Sequence, residues 1–392
     1  MPKMSNITFV TSLYDIASRD GKPRRSISDY LKLGSQFTLR LNNLVIFTEE
    51  KLYLDVWKKC RDLGVLQNVA IIIHKFEDLP YYLYKDMMEK RLSEMPHYTN
   101  LDKNKDTVPY HILGWSKLIF IGKAISMNLF NTDNYSWIDF GIAHVIGSMT
   151  DPNDPMYVYN SKFISLLDAQ RFDNIRIMQM CHTRESELTN IASFFDGIRG
   201  KICSGLFVGP KDILLQFRDA FDDFAIKSLL VNRFTTEEMI YAAVTVVYPE
   251  LFNFYYGDYK SLIANYDGIV RVKGETVLMN ISQIFNAKEY RICKSLCDIL
   301  YKSQEMSDTL LVMPDGIFLL MDLYYVSSFY SDREFSKSIP RLCIDMCRKH
   351  ESVAKALDKH FKHITDNYRH LGSFADPFIE ELRVINETVS IR

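Results

Sequence analysis

The chain has 392 residues, 47 basic against 49 acidic side chains and 47% hydrophobic residues. That length supplies ample material for a core and suggests two or three domains, or one large domain with an extension. A formal charge of -2 gives no push toward nucleic acid or an anionic membrane, and no apolar run reaches the roughly 18 residues of a membrane helix.

The start, "MPKMSNITFV", runs into a strand without a long apolar leader. The seven cysteines (60, 181, 203, 293, 297, 343, 347) are an odd number. Together they predict a reducing, cytoplasmic setting. "NITFVTSLYD" reads as a buried strand over 6–12 whose end delivers Thr11, Ser12, Tyr14 and Asp15 to a loop. That loop, "IASRDGKPRRS", is basic through Arg19, Lys22, Arg24 and Arg25. A helix over about 27–40 follows, then a strand at 43–49, a helix ending at Gly64 and a third strand, "NVAIIIHKF". This alternation is what an open α/β sheet produces.

Residues 80–110 are polar and partly helical, with "HYTNLDKNKDTVPY" as a loop. "HILGWSKLIFIGKAISMNLF" carries a helical repeat and leads to "YSWIDFGI", a strand with its acid near the end. "RIMQMC" and "ICSGLFVGP" read as short strands, "KDILLQFRDAFDDFAIKSLLVN" and "TEEMIYAAVTVV" as helices, and "YPELFNFYYGDYKSLIANYDG" as an aromatic-rich turn-and-helix segment. From about 281 every strong pattern is helical. The expected division is therefore an α/β domain over 1–280 and a helical region over 281–392.

Asp139 is the first candidate for chemistry. Ligands of open α/β sheets collect beyond the carboxyl ends of the strands, and a carboxylate there can coordinate a divalent cation through oxygen. A strand-end aspartate that only accepts backbone hydrogen bonds is the plainer alternative. The arginines of the "SRDGKPRR" loop could clamp phosphates or form an ordinary solvated loop. Lys117 and Lys123, six apart, need not share a helix face, so one can reach a site while the other is solvated.

The glycines of "CSGLFVGP", Gly205 among them, let a backbone come close to a ligand. Thr235 or Thr236 can cap a helix with Glu237 and Glu238 in its first turn, which accounts for both acids. One of them could equally be a general base. Asp258 lies between Tyr256 and Tyr259, aromatics that can stack on sugars, while Cys181 and His182 stand at a strand end as possible ligands. Cys293/Cys297 and Cys343/Cys347 are i,i+4 pairs that could hold zinc. The spacing is unlike a zinc knuckle, and cysteine is also a common core residue.

Five stretches in order, "FVTSLYDIASRDGKPRRS", "HILGWSKLIFIGKAI", "YSWIDFGIAHV", "CSGLFVGP" and "TEEMIYAAVTVVYPELFNFYYGDYKSLIANY", resemble the HtrL/YibB-like family, which looks akin to the WlaTC-type glycosyltransferases. The likeness covers 7 to about 267, roughly two thirds of the chain. It implies a GT-A-like, Rossmann-type α/β/α domain that takes a UDP- or GDP-linked sugar and transfers it to an acceptor hydroxyl of a glycan or glycoconjugate. On that resemblance Thr11, Ser12 and Tyr14 approach the nucleotide, Arg24 or Arg25 meets its phosphates, and Trp115 and Lys117 flank the donor. Asp139 takes the metal-binding place, for Mn or Mg, with Asp258 or His182 as a distant second ligand. Glu237 or Glu238 takes the acceptor proton if the enzyme inverts.

The departure from the GT-A pattern is Trp137, which stands where an Asp-x-Asp pair would have its first acid. A metal-independent enzyme, a nucleotide-sugar hydrolase or nucleotidyltransferase, and an inactive carbohydrate-binding protein are the alternatives. The C-terminal helices could mediate dimerisation or receive the acceptor.

Overall fold

The computed structural model describes residues 6–94, 102, 104–270, 274–286, 288–302, 314–349, 351–369 and 376–390. Part of the expected 97–110 loop, at 97–101 and 103, lies outside the described residues. The chain divides into two compact units, Met1–Tyr255 with Leu262–Ala264, and Tyr256–Ser261 with Asn265–Arg392. This division comes earlier in the chain than the expected one at 280, because Val270, Val277 and Leu278 already pack into the second core.

The strands are β1 (Ile7–Leu13), β2 (Leu44–Thr48), β3 (Val69–Ile73), β4 (Asn134–Ile138), β5 (Ile175–Gln179), β6 (Ile202–Pro210) and β7 (Phe252–Tyr256). They form one seven-stranded sheet in the order β3-β2-β1-β4-β6-β5-β7. β1 pairs in parallel with β2 and β4, and β2 with β3, whereas β6 runs antiparallel to both β4 and β5. All seven residues of β1 are buried, as a parallel strand covered on both faces requires. The result is a mixed α/β sheet whose parallel part, β3-β2-β1-β4, is of the Rossmann type, followed by a helical region.

β1 lies between β2 and β4, so the chain reverses its direction of travel across the sheet there. Ligands of open α/β sheets bind beside such a switch point, beyond the carboxyl ends of the strands. The helix Ile27–Gln36 opens on a capping box between Ser26 and Asp29. The predicted single helix over 111–130 is two, Val108–Trp115 and Lys117–Met127, interrupted at Ser116, whose hydroxyl bonds back to the Ile112 carbonyl at 2.7 Å. The second ends at Asn128, which takes the left-handed conformation (φ 43°) that asparagine tolerates.

β7 was expected as turn and helix. Its aromatic run favours a strand, and Arg176 of β5 fastens to Asn253 and to the Phe254 carbonyl. The helices Lys211–Leu230 and Glu237–Val247 bury their apolar faces, with Phe217 and Phe221 each in ring contact with Tyr241.

The second unit is helical: Gly274–Asn286, Tyr290–Lys302, Pro314–Ser331, Ile339–Lys349, Glu351–Tyr368 and Asp376–Ser390. Cys293, Cys297, Cys343 and Cys347 are free thiols buried in its core. Among the described residues no group of three or more His, Cys, Asp and Glu could hold a metal ion. No described helix is long and apolar enough to cross a membrane.

Candidate active site

At the carboxyl end of β4 the backbone N–H of Asp139 donates to the Gly205 carbonyl at 2.9 Å, extending the pairing with β6 by one residue. Residues two apart on a strand share a face. Trp137 therefore reaches Asp139 and donates its indole N–H to Oδ1 at 2.7 Å. The residue that replaces the expected first acid thus acts as a hydrogen-bond donor to the second. The Lys117 ammonium lies 3.0 Å from the same oxygen. Among the described residues none bonds Oδ2, and the Asp139 side chain is 44% exposed. A Cβ on Gly205 would lie 3.4 Å from Oδ2, so glycine keeps the space beside this oxygen open.

Lys117 opens the Lys117–Met127 helix and is buried, its side chain 8% exposed. Its Nζ contacts Glu237 Oε1 at 3.0 Å and donates to the Ser204 carbonyl at 3.2 Å and hydroxyl at 3.0 Å. Burial alone would push this lysine down. The carboxylates of Asp139 and Glu237 outweigh it and hold the ammonium charged well above its ordinary range. Glu237 is the complement: burial raises its pKa, but Lys117 and the Ser204 hydroxyl overcome that and bring it to about 2.

Two readings of the Glu237–Glu238 pair change accordingly. Thr236 is the N-cap residue but makes no capping bond with its hydroxyl, and Glu237 is engaged with Lys117 and Ser204, so capping does not account for this acid. Held near pKa 2 and buried, Glu237 is also a poor proton acceptor at neutral pH. Glu238 is only half-buried, with Oε1 3.4 Å from the Ser204 hydroxyl. Ser204 went unrecognised in the sequence although its stretch stood out, because a serine next to a glycine has no spacing signature.

The residues expected to surround the nucleotide divide sharply. Thr11 is fully buried inside β1 with an unpartnered hydroxyl, and so cannot touch a ligand at the strand ends. Ser12 is 8% exposed near the end of that strand. Tyr14 is a packing residue: its ring lies against Phe76 and Phe120, its hydroxyl donates to the His74 carbonyl at 3.1 Å, and burial pushes its phenol up. Trp115 does not flank a donor either. It is fully buried, and its indole N–H is used on the Thr235 carbonyl at 3.0 Å.

In the basic loop Arg24 is tied to Asp20 at 2.6 Å, the Lys105 carbonyl at 3.0 Å and Thr107 at 2.9 Å. Arg19 is paired with Glu49 and Glu77. These partners leave Lys22 and Arg25, both exposed, as the cations of the loop that can meet a phosphate. Of the helix lysines, Lys117 enters the site, while Lys123 contacts His74 Nε2 at 2.6 Å.

The proposed second metal ligands are placed otherwise. Asp258 Oδ1 accepts the backbone N–H groups of Lys260 at 3.0 Å and Ser261 at 3.2 Å, which fixes the short Tyr259–Ser261 turn. Tyr256 is partly buried against the second core and Tyr259 is 41% exposed. His182 follows β5, and its carbonyl accepts from Lys201 at 2.9 Å. With no group of three or more ligand side chains among the described residues, a protein-enclosed Mn or Mg ion does not fit what is present. A single oxygen, Asp139 Oδ2, does suit a cation shared with a ligand.

A family model described as a bacterial protein of unknown function (HtrL_YibB) matches residues 5–266. The chain belongs to the HtrL_YibB family. That span covers β1 to β7 and every residue of the Lys117–Asp139–Ser204–Glu237 cluster. No curated protein matches the chain. Among solved structures it is similar to mouse xyloside xylosyltransferase 1 in its apo form, with 12% identity over 63% of this chain and 84% of that one, and a TM-score of 0.32. The fold class rests on the sheet itself, since a likeness at that score carries no argument.

Proposed function

We propose that this HtrL_YibB chain is a glycosyltransferase that moves a sugar from a UDP- or GDP-linked donor to an acceptor hydroxyl of a glycan or glycoconjugate. The observation that carries the reading is Asp139: a half-exposed carboxylate at the switch point, with one oxygen held by Trp137 and Lys117 and the other bonded by none of the described residues. Such an arrangement fixes an acid in one orientation before any ligand arrives, which is what transition-state stabilisation by preorganised charge demands.

The local charge also supports a cation that arrives with the donor. Asp139, Glu237 and Glu238 outnumber Lys117, so an anionic diphosphate would be repelled unless a cation accompanied it. Asp139 would hold an Mn or Mg ion through Oδ2, and the ion would neutralise charge on the departing nucleoside diphosphate. The protein's own groups do the rest. Lys22 and Arg25 are placed on the exposed loop to meet phosphate oxygens. Glu238, half-buried in the first turn of its helix, takes the acceptor proton, while Glu237 keeps Lys117 charged.

The test is a screen of UDP- and GDP-sugars for binding and slow turnover, with manganese or with chelator, and with and without glycan acceptors. Binding with acceptor-dependent release of the nucleotide is the expected result. Failure of every donor to bind would sink the reading, and turnover indifferent to all acceptors would make the protein a hydrolase.

A further inference from the structure

Gly205 of β6 lies directly opposite Asp139. The register pairs Trp137 with Phe207 and Ile138 with Leu206, and the Asp139 N–H continues it onto the Gly205 carbonyl. Residues that oppose each other across an antiparallel pair share a face of the sheet. Trp137 therefore has a phenylalanine across from it, while across from Asp139 there is only backbone.

Glycine inside a strand is a weakness, because it brings no side chain to pack and loses the most chain freedom on folding. A fold retains it for a left-handed φ or for a neighbour too close to admit a Cβ. Neither holds at 205. Among the described glycines, positive φ belongs to Gly21, Gly64, Gly147 and Gly268. A Cβ on Gly205 would meet Asp139 Oδ2 at 3.4 Å and Ile142 Cδ1 at 3.5 Å, which are ordinary contacts. Gly209, four residues along the same face of the strand, is the contrast. Its Cβ would lie 3.0 Å from Ile175 Cγ1 and 3.1 Å from Ile175 Cα. Gly34, Gly114 and Gly141 are likewise obstructed, by Phe140 at 2.7 Å, Glu237 at 2.7 Å and Tyr30 at 2.8 Å.

We infer that Gly205 is a specificity-determining residue, held as glycine by the ligand rather than by the fold: the volume it leaves beside Asp139 Oδ2 seats a divalent cation together with the diphosphate oxygens that complete its shell. Oδ1 is taken by Trp137 and Lys117, so Oδ2 is the oxygen with bonding capacity to offer. Mg or Mn takes about six oxygens. One carboxylate oxygen supplies a small part of that set, and the room beside it has to admit waters or phosphate oxygens as well. A methyl group in that room suits the strand and excludes them. The inference rests on the transferase reading only for what the diphosphate carries.

The experiment compares full-length wild type, Gly205→Ala and Gly209→Ala by thermal unfolding and by calorimetric titration. The ligands are UDP- and GDP-sugars with manganese, and inorganic pyrophosphate with manganese. Gly205→Ala should unfold at the wild-type midpoint or above it, since alanine restricts the unfolded chain at no steric cost, and should lose at least about tenfold in affinity. Gly209→Ala should do the reverse, with a lowered midpoint and wild-type affinity below its unfolding transition.

A lowered midpoint in G205A would mean that the fold itself needs this glycine, and unchanged affinity would mean that the ligand does not use the space. Either result overturns the inference. If wild type binds manganese pyrophosphate but no nucleotide-sugar, and G205A loses that binding, the transferase reading fails and the seat stands. If wild type binds neither, both are overturned.

Discussion

Three side chains, Asp139, Lys117 and Glu237, carry the account at the level of single residues, and they answer differently to substitution. Glu237→Gln removes one of the two carboxylates that keep a buried ammonium charged. Breaking a buried ion pair from one side costs about 3–5 kcal/mol, because the remaining charge stays desolvated. Urea unfolding at neutral pH should show a loss of that size, and a loss below about 1 kcal/mol would mean that Lys117 is not dependent on Glu237. Asp139→Asn removes the other carboxylate. Its side chain is 44% exposed against 8% for Glu237, so solvent screens its pairing with Lys117 and the loss of stability should be smaller than for Glu237→Gln, while donor affinity falls.

At the scale of elements, the site depends on how closely the Val108–Trp115 helix approaches the first turn of Glu237–Val247. A Cβ on Gly114 would come within 2.7 Å of Glu237 Oε2. Gly114→Ala should therefore displace Glu237 and cost about 1–3 kcal/mol by overpacking, where an alanine in an unobstructed helix would stabilise. Thermal unfolding decides between them, and a raised midpoint would contradict this packing.

The same elements show what the sequence made legible. Alternation and turn residues located β1 to β6 and the long helices to within a few residues, and Asp139 was placed correctly at a strand end. β7 escaped because an aromatic run next to Gly257 satisfies strand and turn patterns alike. The break at Ser116 escaped because apolar periodicity continues through it. Thr11, Tyr14 and Trp115 were read as ligand contacts because a motif gives proximity along the chain. Only packing reveals that Trp115 spends its N–H on Thr235 and Tyr14 its hydroxyl on His74. The pairing of Trp137 with Asp139, two residues apart on one strand, was within reach of period-two reasoning, whereas the meeting of Lys117, Ser204 and Glu237 joins segments about ninety and thirty residues apart that no local pattern connects.

At the scale of the whole molecule, acid stability reports on the buried groups of the first unit. Burial holds the His111 imidazole down at about 4 against an ordinary 6.5. As pH falls from 6.5 toward 4 the unfolded chain takes up this proton before the folded one, so stability complete above 6.5 declines through that window by about 3 kcal/mol. Glu237, held at about 2, adds a further decline only below 4.5. His111→Phe removes no hydrogen bond found among the described residues and should flatten the slope of urea stability between pH 6.5 and 4.5. An unchanged slope there would contradict a buried neutral His111.

The central claim concerns a ligand, and one titration tests it most directly. Calorimetric binding of UDP- and GDP-sugars, with manganese, is measured for wild type and Asp139→Asn after matching their unfolding midpoints. The account predicts a donor that binds wild type and loses at least about tenfold in affinity in the variant, equivalent to about 1.4 kcal/mol. Equal affinity in the two proteins would contradict the role of Asp139, and no binding to either would contradict the function.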